Sequence, residues 1–175
     1  MIGNDVIDLQ LSRCQSNWQR KGFIQKLFVE EEQLYIAHSS DPELAVWLLW
    51  SMKEAAYKIY NRQTKIRAYI PKKLICNLVI HNKTMALGQV FCEGVYYYTQ
   101  SYLSPDCVHT IATALLSDLN QVVEIDKTEV IKDHNGIPNL INEAKNSLQP
   151  VSISHHGRFE KVVVISSPKP NYFPL

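Results

Sequence analysis

Residues 41–61, DPELAVWLLWSMKEAAYKIYN, decide the fold that this chain can adopt. Asp41 can cap a helix, and Pro42 suits the first helical position, where a missing N–H costs nothing. From Leu44 to Met52 the only polar residue is Ser51, which predicts a helix buried on most sides. We expect the rest of the chain to pack against this helix.

A charged group follows the apolar part of the predicted helix. It comprises Lys53, Glu54 and Lys58, and the last two are four residues apart, so they share one helix face. Two interpretations stay open. The pair is either a surface ion pair worth about a few tenths of a kcal/mol, or a carboxylate and an ammonium group held for chemistry.

Length and composition favour one domain over residues 1–175. The chain has 46% hydrophobic residues, enough for a sizeable core, and its net charge of +1 disfavours coating of nucleic acid or of an acidic membrane. The four cysteines form no C-x-x-C pair, so neither a zinc knuckle nor a disulfide framework is indicated. The start lacks the pattern of a signal peptide, and no apolar run approaches the length of a membrane helix. We therefore expect a cytoplasmic protein without nucleic-acid or membrane partners.

The first nine residues, MIGNDVIDL, predict a short buried strand that a carboxylate interrupts. That carboxylate, Asp5, is either a turn residue after Gly3-Asn4 or a functional group. In a regular strand Asp5 and Asp8 point to opposite faces, so they are no obvious ligand pair.

Further along, short elements alternate with turns. Glu30-Glu31-Glu32 predicts the solvated start of a helix that continues to Ala37, because negative charge suits a helix N-terminus. Residues 71–115 predict successive strands, and residues 133–136 predict a turn. Residues 151–166 predict a hairpin that turns at Gly157, and residues 168–175 an irregular extension. Together these elements predict an α+β fold in which an antiparallel sheet packs against the long central helix.

The predicted hairpin carries polar side chains with two possible uses. Ser154 and His155 are adjacent on a strand and face opposite ways, so they cannot by themselves form a nucleophile and its base. His155 is either an exposed histidine or a ligand whose partners come from elsewhere.

A run of positive charge follows Glu54. Residues 55–92 contain no Asp or Glu, and their basic residues are Lys58, Arg62, Lys65, Arg67, Lys72, Lys73 and Lys83. In a nearly neutral chain this predicts an electropositive lobe suited to phosphates or to an acidic partner.

Three motifs now stand in a definite order: G-x-D-V at 3–6, W-S-M-K-E-A-A-Y-K at 50–58 and S-I-S-H at 152–155. In this order they resemble the phosphopantetheinyl transferase superfamily, and within it the holo-acyl-carrier-protein synthase class. N-G-I-P at 135–138 is similar to the family's N-G-K-P turn, with Ile137 in place of the lysine. Residues 85–126 lie outside these motifs and look like an enlargement of the smaller class.

The resemblance implies a phosphopantetheinyl transferase-like fold and a Mg²⁺ ion held by Asp5 and Glu54. Magnesium prefers one or two carboxylates, with water and substrate phosphate in its remaining positions. Glu54, directly or through a metal-bound water, is the candidate base for the acceptor serine. The larger class has an acid where this chain has Ile7, so water or Asp8 would have to substitute.

The resemblance also implies a set of coenzyme A ligands. Lys58 is expected to hold a phosphate and to act in catalysis, with Ser154 and His155 also on the phosphates. Lys53 is expected to support this cofactor-binding site.

The activity implied is Mg²⁺-dependent transfer of the 4′-phosphopantetheine arm of coenzyme A to a serine of an apo carrier protein, with release of 3′,5′-ADP. Such carriers serve fatty acid, polyketide or peptide synthesis. In the small class a neighbouring protomer supplies the histidine strand, which implies a homo-oligomer, and a trimer by that likeness. The alternative is a non-catalytic paralogue that binds coenzyme A or a carrier protein.

Overall fold

The computed structural model describes residues 1–133, 136–142 and 147–166. Part of the predicted turn, His134 and Asn135, lies outside the described residues, as does the predicted extension at 168–175. The helices are α1 (Leu9–Gln15), α2 (Phe23–Leu27), α3 (Glu30–His38) and α4 (Pro42–Thr64). The strands are β1 (Ile2–Asp8), β2 (Ile75–His81), β3 (Met85–Cys92), β4 (Val95–Leu103), β5 (Cys107–Thr113), β6 (Val122–Glu124), β7 (Ile131–Lys132), β8 (Pro138–Asn142), β9 (Ser147–His156) and β10 (Phe159–Ile165).

Helix α4 is the buried centre of the molecule. It begins as predicted, with the Asp41 carboxylate accepting a hydrogen bond from the backbone N–H of Leu44 at 3.0 Å. It ends at Thr64, because the next residue, Lys65, has a left-handed φ of 62° that breaks the helical path. Fully buried side chains such as Leu48 and Met52 pack into the main core. The prediction of a helix buried on most sides is confirmed.

The first sheet has the strand order β1-β5-β4-β3-β2, and α4 packs across it. Strand β1 approaches α4 so closely that a Cβ on Gly3 would lie 2.0 Å from the carbonyl oxygen of Ala55. Strands β3 to β5 form the middle of this sheet. Strands β3 to β5, which belong to residues 85–126, thus build the sheet on which the central helix packs.

The second sheet has the strand order β6-β10-β9-β8-β7 and lies beside the edge of β1 that β5 leaves free. Strands β9 and β10 form the predicted hairpin, which turns at Gly157 with a φ of 54°. All strand pairs in the described residues are antiparallel. The predicted α+β class with a long helix on an antiparallel sheet is confirmed.

One prediction about α3 is wrong. The helix starts at Glu30 as expected, but Glu32 is not solvated, because it is buried and forms an ion pair with Lys53 at 2.8 Å. The four cysteines are free. Within the described residues, no helix combines the length and apolar character needed to cross a membrane.

Candidate active site

Strand β1 and helix α4 bring together the two carboxylates predicted as metal ligands. Asp5 lies in the middle of β1, opposite Thr110 of β5, so the interpretation of Asp5 as a turn residue is wrong. Both Asp5 and Glu54 are half-buried. The charge of Asp5 contributes to the raised pKa of Glu54, which requires the two carboxylates to lie near each other.

Lys58 joins this pair from the next turn of α4. Its Nζ donates hydrogen bonds to the carbonyl oxygens of Asn4 at 2.6 Å and Ile153 at 3.0 Å. The ammonium group therefore bridges β1 and β9. It is half-buried and held by backbone oxygens, so the interpretation of Glu54 and Lys58 as a simple surface ion pair is wrong.

The three charges sit in an environment that disfavours ionisation. Burial raises the pKa of Asp5, although the Lys58 charge and a hydrogen bond from Ser154 oppose the change. Burial, and then the charge of Asp5, raise the pKa of Glu54 to about 7. Burial also lowers the pKa of Lys58 against the attraction of both carboxylates. Each group is shifted towards its neutral form, so added positive charge would stabilise the ionised carboxylates.

The hairpin contributes Ser154, but not His155, to this group. Ser154 Oγ accepts a hydrogen bond from the N–H of Val6 at 2.9 Å and donates one to Asp5 Oδ1 at 3.2 Å. His155 lies on the opposite face of β9 and is exposed, opposite Glu160 of β10. The structure thus joins Ser154 to Asp5 within one chain and leaves His155 apart from them.

Lys53 also lies apart from the carboxylates. It is 1% exposed, pairs with Glu32, and donates hydrogen bonds to the carbonyl oxygens of Pro71, at 2.9 Å, and Leu74. Glu32 in turn accepts the N–H of Cys76 at 2.8 Å. In this structure Lys53 fastens α4 to α3 and to the segment before β2, and its ammonium group does not face the site.

A cavity of about 360 Å³ opens beside Lys58. Three cations of α4 and of the segment after it line the cavity: Lys58, Arg62 and Arg67. Arg62 donates hydrogen bonds to the carbonyl oxygens of Val151 at 2.7 Å and Pro138 at 3.1 Å, and burial lowers its pKa. Gly136 and Pro138 of the N-G-I-P segment form part of the wall. This arrangement can accept an anionic ligand beside Lys58, and Lys58 connects the cavity to the two carboxylates, which do not themselves line it.

The donor set fits Mg²⁺. Asp5 and Glu54 supply two carboxylates whose mutual repulsion a divalent cation would relieve, and the neighbouring cavity can supply substrate phosphate. In the described part of the chain, no cluster of three or more His, Cys, Asp or Glu forms an all-protein metal site. Magnesium that keeps water and a substrate phosphate needs no such cluster.

Several residues near the site did not stand out in the sequence. Ser51 Oγ donates to the backbone oxygen of Asp5 at 3.3 Å. Burial, and then the charge of Glu54, raise the pKa of Tyr69. Asp8 does not substitute for the missing acid at Ile7, because it caps α1 and binds Arg158. Alternation places Ser152, Ser154 and His156 on one face of β9, but it does not signal that this face is turned to β1.

Two carboxylates and a lysine beside a cation-lined cavity can support metal-assisted chemistry on a phosphorylated ligand. A family model described as the 4′-phosphopantetheinyl transferase superfamily matches residues 1–110. The match covers more than half of the chain and includes Asp5, Glu54 and Lys58, while Ser154 lies beyond it. This chain belongs to the 4′-phosphopantetheinyl transferase superfamily.

A second comparison finds a longer relative. A 64-residue segment is 33% identical to "Fatty acid synthase alpha subunit hexA" of Dothistroma septosporum. The segment covers 37% of this chain and 19% of that protein, so the chain spans only a small part of the relative.

Proposed function

We propose that this protein transfers the 4′-phosphopantetheine arm of coenzyme A to a serine of an apo acyl or peptidyl carrier protein. Family membership supports phosphopantetheinyl transfer in general. The observation that carries the specific proposal is the placement of Asp5, Glu54 and Lys58 together, beside a cavity lined by Arg62 and Arg67.

In the proposed reaction, the carrier serine oxygen attacks the phosphorus of coenzyme A that bears the pantetheine arm. A new P–O bond forms, the P–O bond to the bridging pyrophosphate oxygen breaks, and 3′,5′-ADP leaves with the electron pair. The ionised Glu54 carboxylate is the proposed acceptor of the serine proton. Lys58 and Arg62 attract the phosphates into the cavity, and Ser154 holds Asp5 Oδ1 in place.

Asp5 and Glu54 would hold Mg²⁺ in this proposal. When bound, the ion would neutralise charge on the pyrophosphate and on the leaving nucleotide. Lys53 has no direct part; we propose that it positions α4 through its ion pair with Glu32.

The identity of the carrier and the assembly of the enzyme are also proposals. The match to part of a fatty acid synthase subunit supports a carrier of fatty acid or polyketide synthesis. The four free cysteines accord with a reaction in the cytoplasm.

A homo-oligomer, by resemblance a trimer, stays a prediction. Ser154 reaches Asp5 of its own chain, so that contact needs no second protomer.

Chromatographic measurement of 3′,5′-ADP release tests the function. The protein is incubated with coenzyme A, Mg²⁺ and several apo carriers, alongside the variants Asp5→Asn and Glu54→Gln. We expect release that needs both a carrier and Mg²⁺, and a loss of at least about 100-fold in either variant, the scale on which general bases contribute. Coenzyme A binding without release on any carrier would identify the non-catalytic alternative.

A further inference from the structure

Strand β1 has one edge that β5 does not pair, and side chains of β9 occupy it. The backbone N–H groups of Asn4, Val6 and Asp8 point towards β9. They donate to Ser152 Oγ at 2.8 Å, to Ser154 Oγ at 2.9 Å and to His156 Nδ1 at 2.9 Å, respectively. Every second residue of β9 thus accepts from every second residue of β1. We call this set of three hydrogen bonds the side-chain ladder.

The far end of the ladder is fixed by Asp8. Its buried carboxylate accepts three hydrogen bonds from Arg158. The donors are the backbone N–H at 3.0 Å, Nε at 2.8 Å and Nη2 at 2.9 Å. The same carboxylate accepts the N–H of Gln10 at the start of α1. Because a Cβ on Gly157 would lie 2.5 Å from Asp8 Oδ2, the hairpin turn sits directly on this group.

The middle of the ladder belongs to the candidate active site. Ser154 occupies the middle rung and also donates to Asp5 Oδ1 at 3.2 Å. Lys58 bonds the carbonyl oxygens of Asn4 and Ile153, which belong to the same two strands. The distance between β1 and β9 therefore sets the positions of Asp5, Ser154 and Lys58 together.

We propose that His156 is a positioning residue of the transfer site, which it serves by docking β9 on β1 of the same chain. This inference rests on the proposed function and deepens it. His156 touches neither of the two carboxylates of the site; it acts through Asp8 N–H and the strand that carries Ser154. The adjacent His155 is exposed and faces away from β1, so it takes no part in the ladder.

The acceptor atom makes the inference specific. Nδ1 accepts the Asp8 N–H only with its lone pair free, so the ring carries its proton on Nε2. The side-chain oxygen of asparagine can occupy roughly the position of Nδ1, whereas the longer glutamine places its oxygen nearer the position of Nε2. His156→Asn should therefore keep the hydrogen bond that His156→Gln and His156→Ala lose.

Amide hydrogen exchange in ¹⁵N-labelled protein tests the docking without any assay of transfer. We expect the Asp8 amide of the wild type and of His156→Asn to exchange at least about tenfold more slowly than in His156→Gln or His156→Ala, as loss of one hydrogen bond implies. His38→Ala, which removes an exposed histidine of α3, should leave the Asp8 amide unchanged. Equal exchange in wild type and His156→Ala, or in His156→Asn and His156→Ala, would overturn the docking role.

Transfer kinetics then test positioning. We expect His156→Ala to lower kcat about tenfold while the KM for coenzyme A changes less than about twofold, because the cations of the cavity remain on α4. His156→Asn should restore kcat. A common fall in kcat for both variants, or no fall in either, would overturn the positioning role. A wild type that releases no 3′,5′-ADP refutes the proposed function instead, and amide exchange still decides the docking.

Docking within one chain has a further consequence for mixed proteins. Because each chain supplies its own β1 and β9, a mixture of Glu54→Gln and His156→Ala chains should show no more transfer than the sum of its parts. Activity above that sum, after the chains have been unfolded and refolded together, would mean that β9 docks on a neighbouring protomer.

Discussion

Replacement of Glu54 by glutamine should stabilise the folded protein at neutral pH. Glu54 is half-buried next to Asp5, and its pKa rises from an ordinary 4.5 to about 7. The folded state therefore favours the protonated carboxyl more than the unfolded state does. The contribution of Glu54 to stability is fully present below about pH 4.5 and is lost as the pH rises through about 7.

The size of the effect follows from the two pKa values. Their difference, about 7 minus 4.5, is about 2.5 pH units, and each unit corresponds to about 1.4 kcal/mol. The ionised carboxylate thus costs the fold up to about 3 kcal/mol at pH 8, less whatever solvent screening recovers at a half-buried position. Glutamine has a similar shape and does not ionise, so Glu54→Gln removes that cost.

Urea unfolding in EDTA at several pH values from 4.5 to 8 measures this difference. We expect Glu54→Gln to gain about 1–3 kcal/mol over the wild type at pH 8 and almost nothing at pH 4.5. Glu31→Gln, on the exposed start of α3, is the matched control and should show no such trend. If the free energies of unfolding of wild type and Glu54→Gln changed with pH in the same way, the repulsion between half-buried carboxylates would be refuted. A lower stability of Glu54→Gln at pH 8 would refute it as well.

Three further substitutions test other parts of the structure. Glu32→Gln leaves the buried Lys53 charge unpaired and should lower the free energy of unfolding in urea by about 3–5 kcal/mol. Lys73→Gln, in the exposed pair with Glu93, should lower it by less than about 1 kcal/mol. Similar losses in the two variants would contradict the buried pair. Gly3→Ala forces β1 away from Ala55 and should cost about 1–3 kcal/mol or more by the same method, and a loss under about 0.5 kcal/mol would contradict the close approach. Arg62→Gln should weaken coenzyme A binding about tenfold in calorimetry, since it removes one charge-assisted contact in the cavity. Lys72 is exposed, and Lys72→Gln is the control. An equal loss of affinity in Lys72→Gln would point to general charge attraction instead of binding in the cavity.

Local chemistry let the sequence predict the central helix and its start. Asp41 and Pro42 are start signals that act within one turn, and the apolar run between Leu44 and Met52 has no other favourable environment than a core. The end of the helix was less predictable. Lys65 takes a left-handed conformation that glycine or asparagine would have signalled, and lysine does not.

The sequence pattern could not predict contacts between residues that are far apart in the chain. Nothing local distinguishes Glu32, which is buried with Lys53, from its exposed neighbours Glu30 and Glu31, since the partner lies on another helix. In β9, alternation predicts that Ser154 and His155 face opposite ways, but only the packing of β1 decides which face is turned to the site. That packing turns His156 inward with Ser154, and leaves His155 exposed.

The intact mass of an apo carrier protein, after incubation with this protein, coenzyme A and Mg²⁺, tests the central claim most directly. We predict a gain of one phosphopantetheine group on the carrier serine, absent with EDTA and absent with Glu54→Gln. The contradicting result is an unchanged mass for every carrier tested, while the same preparation binds coenzyme A. The protein would then bind the donor without transferring its arm, despite belonging to a family of transferases.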